Sequence, residues 1–114
     1  MFREVQVLAS SLAVLAGIVS LPAHAGSQIG SITAVSVDNN GSPYVFLVSG
    51  THNGQPACAT DAYWAVTNLG TDNAKSMVAT ILTAYATGRQ VNVQGSGACP
   101  QGYPREAVNF IIAQ

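Results

Sequence analysis

The side chains able to bind a ligand are few after residue 25, and they are spread along the chain. The aromatic residues best suited to stack on a sugar or to fill a partner's pocket are Tyr44, Tyr63, Trp64 and Tyr103. Adjacent side chains of a strand point to opposite faces, so we expect one of Tyr63 and Trp64 to enter the core and the other to face outward or into an interface. The sequence leaves open which of the two is buried, and packing is the simpler role for each aromatic residue.

His52 is the one histidine that follows residue 25, and it lies in the polar segment Thr51-His52-Asn53-Gly54-Gln55. Acid–base and nucleophilic catalysis need partner groups that share the site, and the nearest carboxylate in sequence is that of Asp61. The pattern therefore predicts a solvated loop histidine.

The carboxylates have structural interpretations as well. Asp72 is placed to interact with the N-terminus of a helix, and Glu106 is adjacent to Arg105, which predicts a weak surface pair. Neither the carboxylates nor the cysteines have the spacing of a metal site. We expect no enzymatic activity, no metal and no cofactor.

Cys58 and Cys99 are the two cysteines of the chain. An even count in an exported protein predicts a disulfide, and this one would close a long loop. A redox CxxC motif is absent.

Export is indicated by residues 1–25. Arg3 precedes an uncharged stretch from Val5 to Leu21, and Pro22 and Ala23-His24-Ala25 follow, which predicts a signal peptide cleaved after Ala25. The alternative is a membrane anchor, but the stretch is short against the roughly 20 apolar residues that span a bilayer. We expect a periplasmic or secreted protein, with no membrane association after cleavage.

Charge is sparse in residues 26–114, where three basic residues face four acidic ones: Lys75, Arg89 and Arg105 against Asp38, Asp61, Asp72 and Glu106. No run of either sign offers attraction to nucleic acid, so a nucleic-acid partner is not expected.

The hydrophobic pattern predicts five strands and one helix. Strands are expected over residues 29–37, with Gly30 as a candidate bulge, and over residues 44–49, 63–67, 89–94 and 106 to the end. Residues 38–43 are typical of a tight turn, so the first two strands form a hairpin, and the second strand is covered on both sides. A helix begins after Thr71 or Asp72 and ends at Gly88. Its core stripe is expected to be Ala74, Met77, Val78, Ile81, Leu82 and Tyr85.

The order strand, strand, strand, helix, strand, strand over residues 26–114 is that of a single OB-fold-like domain, a five-stranded barrel with one helix between its third and fourth strands. An open α+β sheet with a helix packed on one face would share this order.

The segment from Leu82 to Val93, with Gly95, Gly97 and Cys99 and then Glu106-Ala107-Val108, resembles a group of small, mostly uncharacterised exported proteins of Gram-negative bacteria. The resemblance covers most of residues 28–112. The group is more loosely similar to the OB-fold binding subunits of subtilase-type and pertussis-like toxins, which form rings and bind glycans. The resemblance implies an OB-type binding protein, but no glycan-contacting residue is carried over.

The function expected from these features is non-enzymatic recognition of a glycan or a protein through loops, here residues 38–43 and 95–105. The candidate binding residues are Asn39, Asn40, Tyr44, His52, Tyr63, Tyr103 and Arg105. The alternatives are a homo-oligomeric structural protein that assembles through strand edges and apolar faces, and a small enzyme or enzyme inhibitor.

Overall fold

The computed structural model describes residues 24–37 and 44–114. These ranges form the strands and helix β1 (Ser27–Ser36), β2 (Tyr44–Val48), β3 (Trp64–Val66), α1 (Asp72–Thr87), β4 (Gln90–Gly95) and β5 (Glu106–Ala113). Their order is the one predicted. The signal peptide assigned to residues 1–25 lies outside the described residues except for its last two positions, and Asn39, Asn40 and the rest of the turn 38–43 lie outside them too.

The five strands close into a ring in the order β1-β2-β3-β5-β4, with β4 pairing back onto β1. The neighbouring strands are antiparallel except β3 and β5, which run parallel and are joined at Trp64↔Glu106 and Ala65↔Ala107. β1 pairs with two different strands: its first half pairs with β4 and its second half with β2. A mainly β fold with one helix is confirmed, and so is the antiparallel pairing of β1 with β2 that the predicted hairpin requires.

The bend of β1 lies three residues later than the sequence suggested. Its pairing with β2 shifts register between Ile32 and Ala34, so Thr33 is the bulged residue and the prediction of a bulge at Gly30 was wrong. Gly30 has a different role, because a Cβ atom there would overlap the backbone of Ser49. The glycine lets two strands approach closely at the point where β1 passes from one neighbour to the other.

A second irregularity reverses the faces of β5. Gly95 pairs with Val108 while Gln94 pairs with Phe110, so Asn109 is an extra residue. Uninterrupted alternation along β5 would put Val108, Phe110 and Ile112 on the same face as Glu106. The extra residue instead turns Phe110 and Ile112 outward, because a shift of one residue moves every later side chain to the other face.

Helix α1 begins and ends as predicted. The Thr71 hydroxyl accepts a hydrogen bond from the Ala74 N–H, and Gly88 adopts a left-handed conformation, with φ 70°, that closes the last turn. The helix buries Ala74, Ile81 and Ala84 against the ring. The predicted stripe was too wide, since Leu82 and Tyr85 are exposed. One ring surface covers a single face of the helix, and these two side chains flank it.

The core fills the ring with side chains from every strand and from the helix. Phe46, Trp64, Ile81, Val91 and Val93 have no exposed surface. β2 is buried on both faces as predicted, with one partly exposed position, Leu47. Burying Trp64, Phe46 and Ile81 supplies several kcal/mol of apolar transfer free energy in a domain of this size.

The predicted disulfide is present. Cys58 and Cys99 are joined with a Cα–Cα distance of 6.2 Å across a sequence separation of 41 residues. The bond links the segment before β3 to the loop between β4 and β5.

We expect the double substitution Cys58→Ser with Cys99→Ser to lower the free energy of unfolding by about 4 kcal/mol, because the cross-link restricts the unfolded chain. Denaturant unfolding of the wild-type protein and the variant without reductant measures this difference. Reduced wild-type protein should unfold like the variant. Equal midpoints for all three samples would contradict the prediction.

Candidate functional site

The carboxylate of Glu106 lies inside the protein, with no exposed surface. Its two oxygens face the Gly26 N–H at 2.9 and 3.2 Å, and Oε2 also accepts a hydrogen bond from the Gly97 N–H at 2.8 Å. The predicted surface pair between Glu106 and Arg105 was wrong. Glu106 begins β5 opposite Trp64 and therefore points inward, and Arg105 extends the other way.

Two glycines make room for this carboxylate. A Cβ atom on Gly26 would lie 2.5 Å from Oε1, and one on Gly95 would overlap the carboxylate itself. Any larger residue at either position would displace the Glu106 side chain. Close approach to a buried polar group thus requires glycine at both positions.

A second polar side chain inside the ring holds the tryptophan. Gln28 is buried, and its Oε1 accepts a hydrogen bond from Trp64 Nε1 at 2.8 Å. Its Nε2 donates to the carbonyl oxygens of Val48 at 2.9 Å and Gly50 at 2.8 Å. Gln28 therefore satisfies the only polar atom of the Trp64 side chain and ties β1 to the end of β2.

His52 packs on the tryptophan and is not a solvated loop residue, so that prediction was wrong. The two rings are stacked with centroids 4.4 Å apart and planes 25° from parallel. The Nε2 atom is buried without a hydrogen-bond partner among the described residues. Burial lowers the pKa of the His52 imidazole, and the negative charge of Glu106 partly offsets the shift. His52 lies on Trp64 because the segment that carries it is held to the start of β1 by a bridge between Ser27 and Asn53.

Tyr44 belongs to the core. It is 6% exposed, and its hydroxyl is buried without a partner among the described residues. Burial raises the pKa of this phenol. A side chain so placed does not present a face to a ligand, which removes Tyr44 from the candidate binding residues.

Three of the predicted binding residues lie together on the surface. The guanidinium of Arg105 is 5.5 Å from the ring centroid of Tyr63 and 5.8 Å from that of Tyr103. Arg105 also forms an ion pair with Asp61, with Nη2 and Oδ2 2.8 Å apart. We call Asp61, Tyr63, Tyr103 and Arg105 the tyrosine–arginine surface. Tyr63 and Tyr103 are both half-buried, while Trp64 is the fully buried member of the Tyr63–Trp64 pair.

The loops that carry this surface are held to each other. The N–H groups of Thr60 and Asp61 both donate to the Pro104 carbonyl, at 2.9 and 3.1 Å, and the disulfide joins the same two segments. The Asp61 carboxylate accepts a hydrogen bond from the Tyr63 N–H at 3.0 Å, which fixes the start of β3. Backbone hydrogen bonds and a covalent bond therefore hold together the two segments that carry the aromatic rings.

The predicted binding residues thus separate into groups. Tyr63, Tyr103 and Arg105 meet at one surface, whereas Tyr44 and His52 pack against the core. Asp61 and Gln28 were not among the predicted site residues. No local motif marks Gln28, although a long polar side chain at an inward position of a strand is unusual enough to suggest a buried partner.

A groove of about 320 Å³ lies between α1 and the end of β5. Its lining is mainly alanine and threonine, and several of its polar groups form hydrogen bonds within the protein. The Thr87 hydroxyl donates to the Thr83 carbonyl at 2.7 Å, and Arg89 Nε donates to the Gln114 carbonyl at 2.6 Å. The groove offers a ligand little polar recognition.

The described part of the chain holds no group of three or more His, Cys, Asp or Glu side chains that could bind a metal ion. Among the same residues, no helix combines the length and the apolar character needed to cross a bilayer.

No protein-family model matches this chain, and no curated protein is significantly similar to it.

We expect the stability of the wild-type protein to fall as the pH drops below about 6.5, because protonation of His52 favours the unfolded state when folding lowers its pKa. His52→Phe keeps a ring on Trp64 and removes the ionisation. Melting temperatures of both proteins across this range provide the measurement. A wild-type pH dependence identical to that of the variant would contradict the assignment of this titration to His52.

Proposed function

We propose that this chain is a non-enzymatic binding domain of the OB type, exported to the periplasm or beyond, which recognises a glycan through the tyrosine–arginine surface. The observation that carries the proposal is the Arg105 guanidinium packed against Tyr63 and Tyr103 on loops joined by a disulfide.

The strand connections support an OB-type architecture. The ring order, the parallel pairing of β3 with β5 and the helix between β3 and β4 agree with a five-stranded Greek-key barrel of the OB type. In such barrels the loop between the fourth and fifth strands contributes to ligand binding. Tyr103 and Arg105 lie in that loop here.

The chemistry of the surface favours a sugar. Tyrosine combines an apolar ring face with a polar hydroxyl, and arginine offers several fixed N–H donors, which together match the alternating C–H and hydroxyl groups of a sugar. Charged residues are sparse in residues 26–114, and a surface that relies on neutral polar groups suits a hydrated ligand. A rigid site also reduces the entropy lost on binding, and the disulfide provides that rigidity.

Export is the part of the proposal that depends on residues 1–25. The composition of that segment and the oxidised cysteine pair agree with an oxidising compartment. The resemblance to small exported Gram-negative proteins and to toxin binding subunits supports the same interpretation.

A different surface favours a second candidate function, a homo-oligomer. Ile29 and Ile112 lie on either side of Asn92 in one cross-strand row, and Phe110 lies beside Gln94 in the neighbouring row. All three apolar side chains are exposed: Ile29 to 53%, Ile112 to 48% and Phe110 to 46%. β1 and β4 contain no charged residue, so two copies of this face would meet without charge repulsion.

Tyr103→Ala is expected to lower glycan affinity at least tenfold, because loss of a central aromatic contact typically costs more than about 1.4 kcal/mol. A glycan array identifies the ligand and titration measures the affinity. Tyr85→Ala, which removes an exposed tyrosine from α1, is the matched control and should bind normally. Absence of glycan binding together with a specifically co-purified protein would redirect the proposal to a protein ligand.

If the apolar face joins copies of the chain, light scattering should give a mass above that of the monomer at micromolar concentration. Phe110→Ser should then shift the protein to monomer, while Leu82→Ser, an equally exposed apolar position on α1, should not. A monomeric wild-type protein would exclude the oligomer and would leave the glycan proposal standing.

A further inference from the structure

The buried carboxylate of Glu106 lacks a cationic partner in the described part of the chain. The ion pair found there joins Arg105 to Asp61 at the surface. Transfer of an ionised carboxylate into a protein interior is costly unless a counter-charge or several hydrogen bonds compensate it. The amide donors of Gly26 and Gly97 compensate part of this cost.

The neighbouring titratable group does not supply the missing charge. His52 is the group whose electrostatic interaction with Glu106 is resolved, and burial lowers its pKa, which favours the neutral imidazole at neutral pH. Arg105 is adjacent in sequence but is committed to Asp61. A cation therefore has to come from another source.

The position of Gly26 identifies that source. Its nitrogen faces both carboxylate oxygens, at 2.9 and 3.2 Å, although an amide has one hydrogen to donate. An ammonium group at the same place would have three hydrogens and a positive charge, and it would satisfy both oxygens. Gly26 is also the residue that follows the predicted cleavage site, the Ala25–Gly26 bond.

We propose that cleavage between Ala25 and Gly26 creates an α-ammonium group that forms a buried ion pair with Glu106 and thereby completes the fold. Hydrolysis breaks the Ala25 C–Gly26 N bond. The hydroxyl of one water adds to the Ala25 carbonyl carbon, and its hydrogen goes to the Gly26 nitrogen. The new carboxylic acid ionises, and the amine takes up one proton to become an ammonium.

The surroundings are already suited to a chain that begins at Gly26. The Gly26 carbonyl accepts a hydrogen bond from the Gly95 N–H at 2.8 Å, and Ser27 exchanges two backbone bonds with Asn53 at 2.8 and 2.9 Å. These bonds would hold the new terminus in place. His24 and Ala25 are exposed, so their removal takes nothing from the core.

The pair would also connect processing to the surface loop. Oε2 of Glu106 accepts a hydrogen bond from Gly97, which is two residues before Cys99. A carboxylate held by the terminus would therefore stabilise the loop that carries Tyr103. This inference rests on the predicted export but not on the identity of any ligand, so failure of glycan binding would leave it intact.

The test uses the full chain, expressed with its own N-terminal segment in a Gram-negative host and purified from the periplasm. Intact mass should identify Gly26 as the first residue. The processed chain then has two amines, that of Gly26 and that of Lys75, which is the single lysine of the sequence and is exposed on α1. Reaction with limiting acetic anhydride near pH 7, followed by peptide mass spectrometry, compares the two.

We expect the Gly26-to-Lys75 labelling ratio to be at least tenfold lower in native protein than in guanidinium chloride, because a buried, ion-paired ammonium is not a nucleophile. Glu106→Gln should raise the native ratio, whereas Asp61→Asn, which removes a nearby carboxylate at the surface, should not. If Glu106→Gln does not fold, the wild-type comparison decides alone. Cleavage at another bond, or equal native and denatured ratios, would overturn the proposal.

Discussion

A single carboxylate, buried where β3 and β5 run side by side, constrains much of this structure. Glu106 faces inward because its Cα pairs with that of Trp64 across the parallel closure of the ring. Its oxygens then require donors, and the backbone provides them from the segment before β1 and from the loop after β4. Two glycines are needed to let that backbone approach. The segment before β1, the closure of the ring and the disulfide-bearing loop thus meet at one buried carboxylate.

The polar interior and the surface site are built on the same short strand. β3 contributes Trp64 to the core, where Gln28 and His52 contact it from two sides. The residue before it, Tyr63, contributes to the surface. One peptide bond therefore separates the fully buried Trp64 from the half-buried Tyr63 of the surface. If this surface binds a ligand as proposed, it would need little adjustment to do so, which suits a small domain with a thin core.

The elements were predictable from the sequence because their signals are local. Alternation identified the strands, Thr71 and Gly88 marked the ends of the helix, and the two cysteines indicated their own pairing. The predictions that were wrong concern features that tertiary contacts determine. The extra residue at Asn109 reverses the faces of β5 without any turn residue to announce it. Glu106 and His52 have polar neighbours in sequence, which are typical of a surface. Only the closed ring shows that His52 stacks on Trp64 and that Glu106 accepts a hydrogen bond from Gly26. Three residues of the tyrosine–arginine surface were predicted as binding residues because of their side-chain types. Asp61 was not predicted, and it belongs to this surface through its ion pair with Arg105.

The pairing of β1 with β4 has a consequence for how the chain reaches its folded state. Ser27–Ser31 find their partners in Gln90–Gln94, so the two strands that seal the ring come from distant parts of the sequence. We expect contacts of this kind to form late, because the chain loses the entropy of closing the long intervening loop before it gains the free energy of the contacts. A chain that emerges gradually, from a ribosome or from a translocation channel, therefore holds the first half of β1 without its partner until β4 has emerged, although the second half can already pair with β2. Such a delay in folding is compatible with passage through a membrane in an extended form.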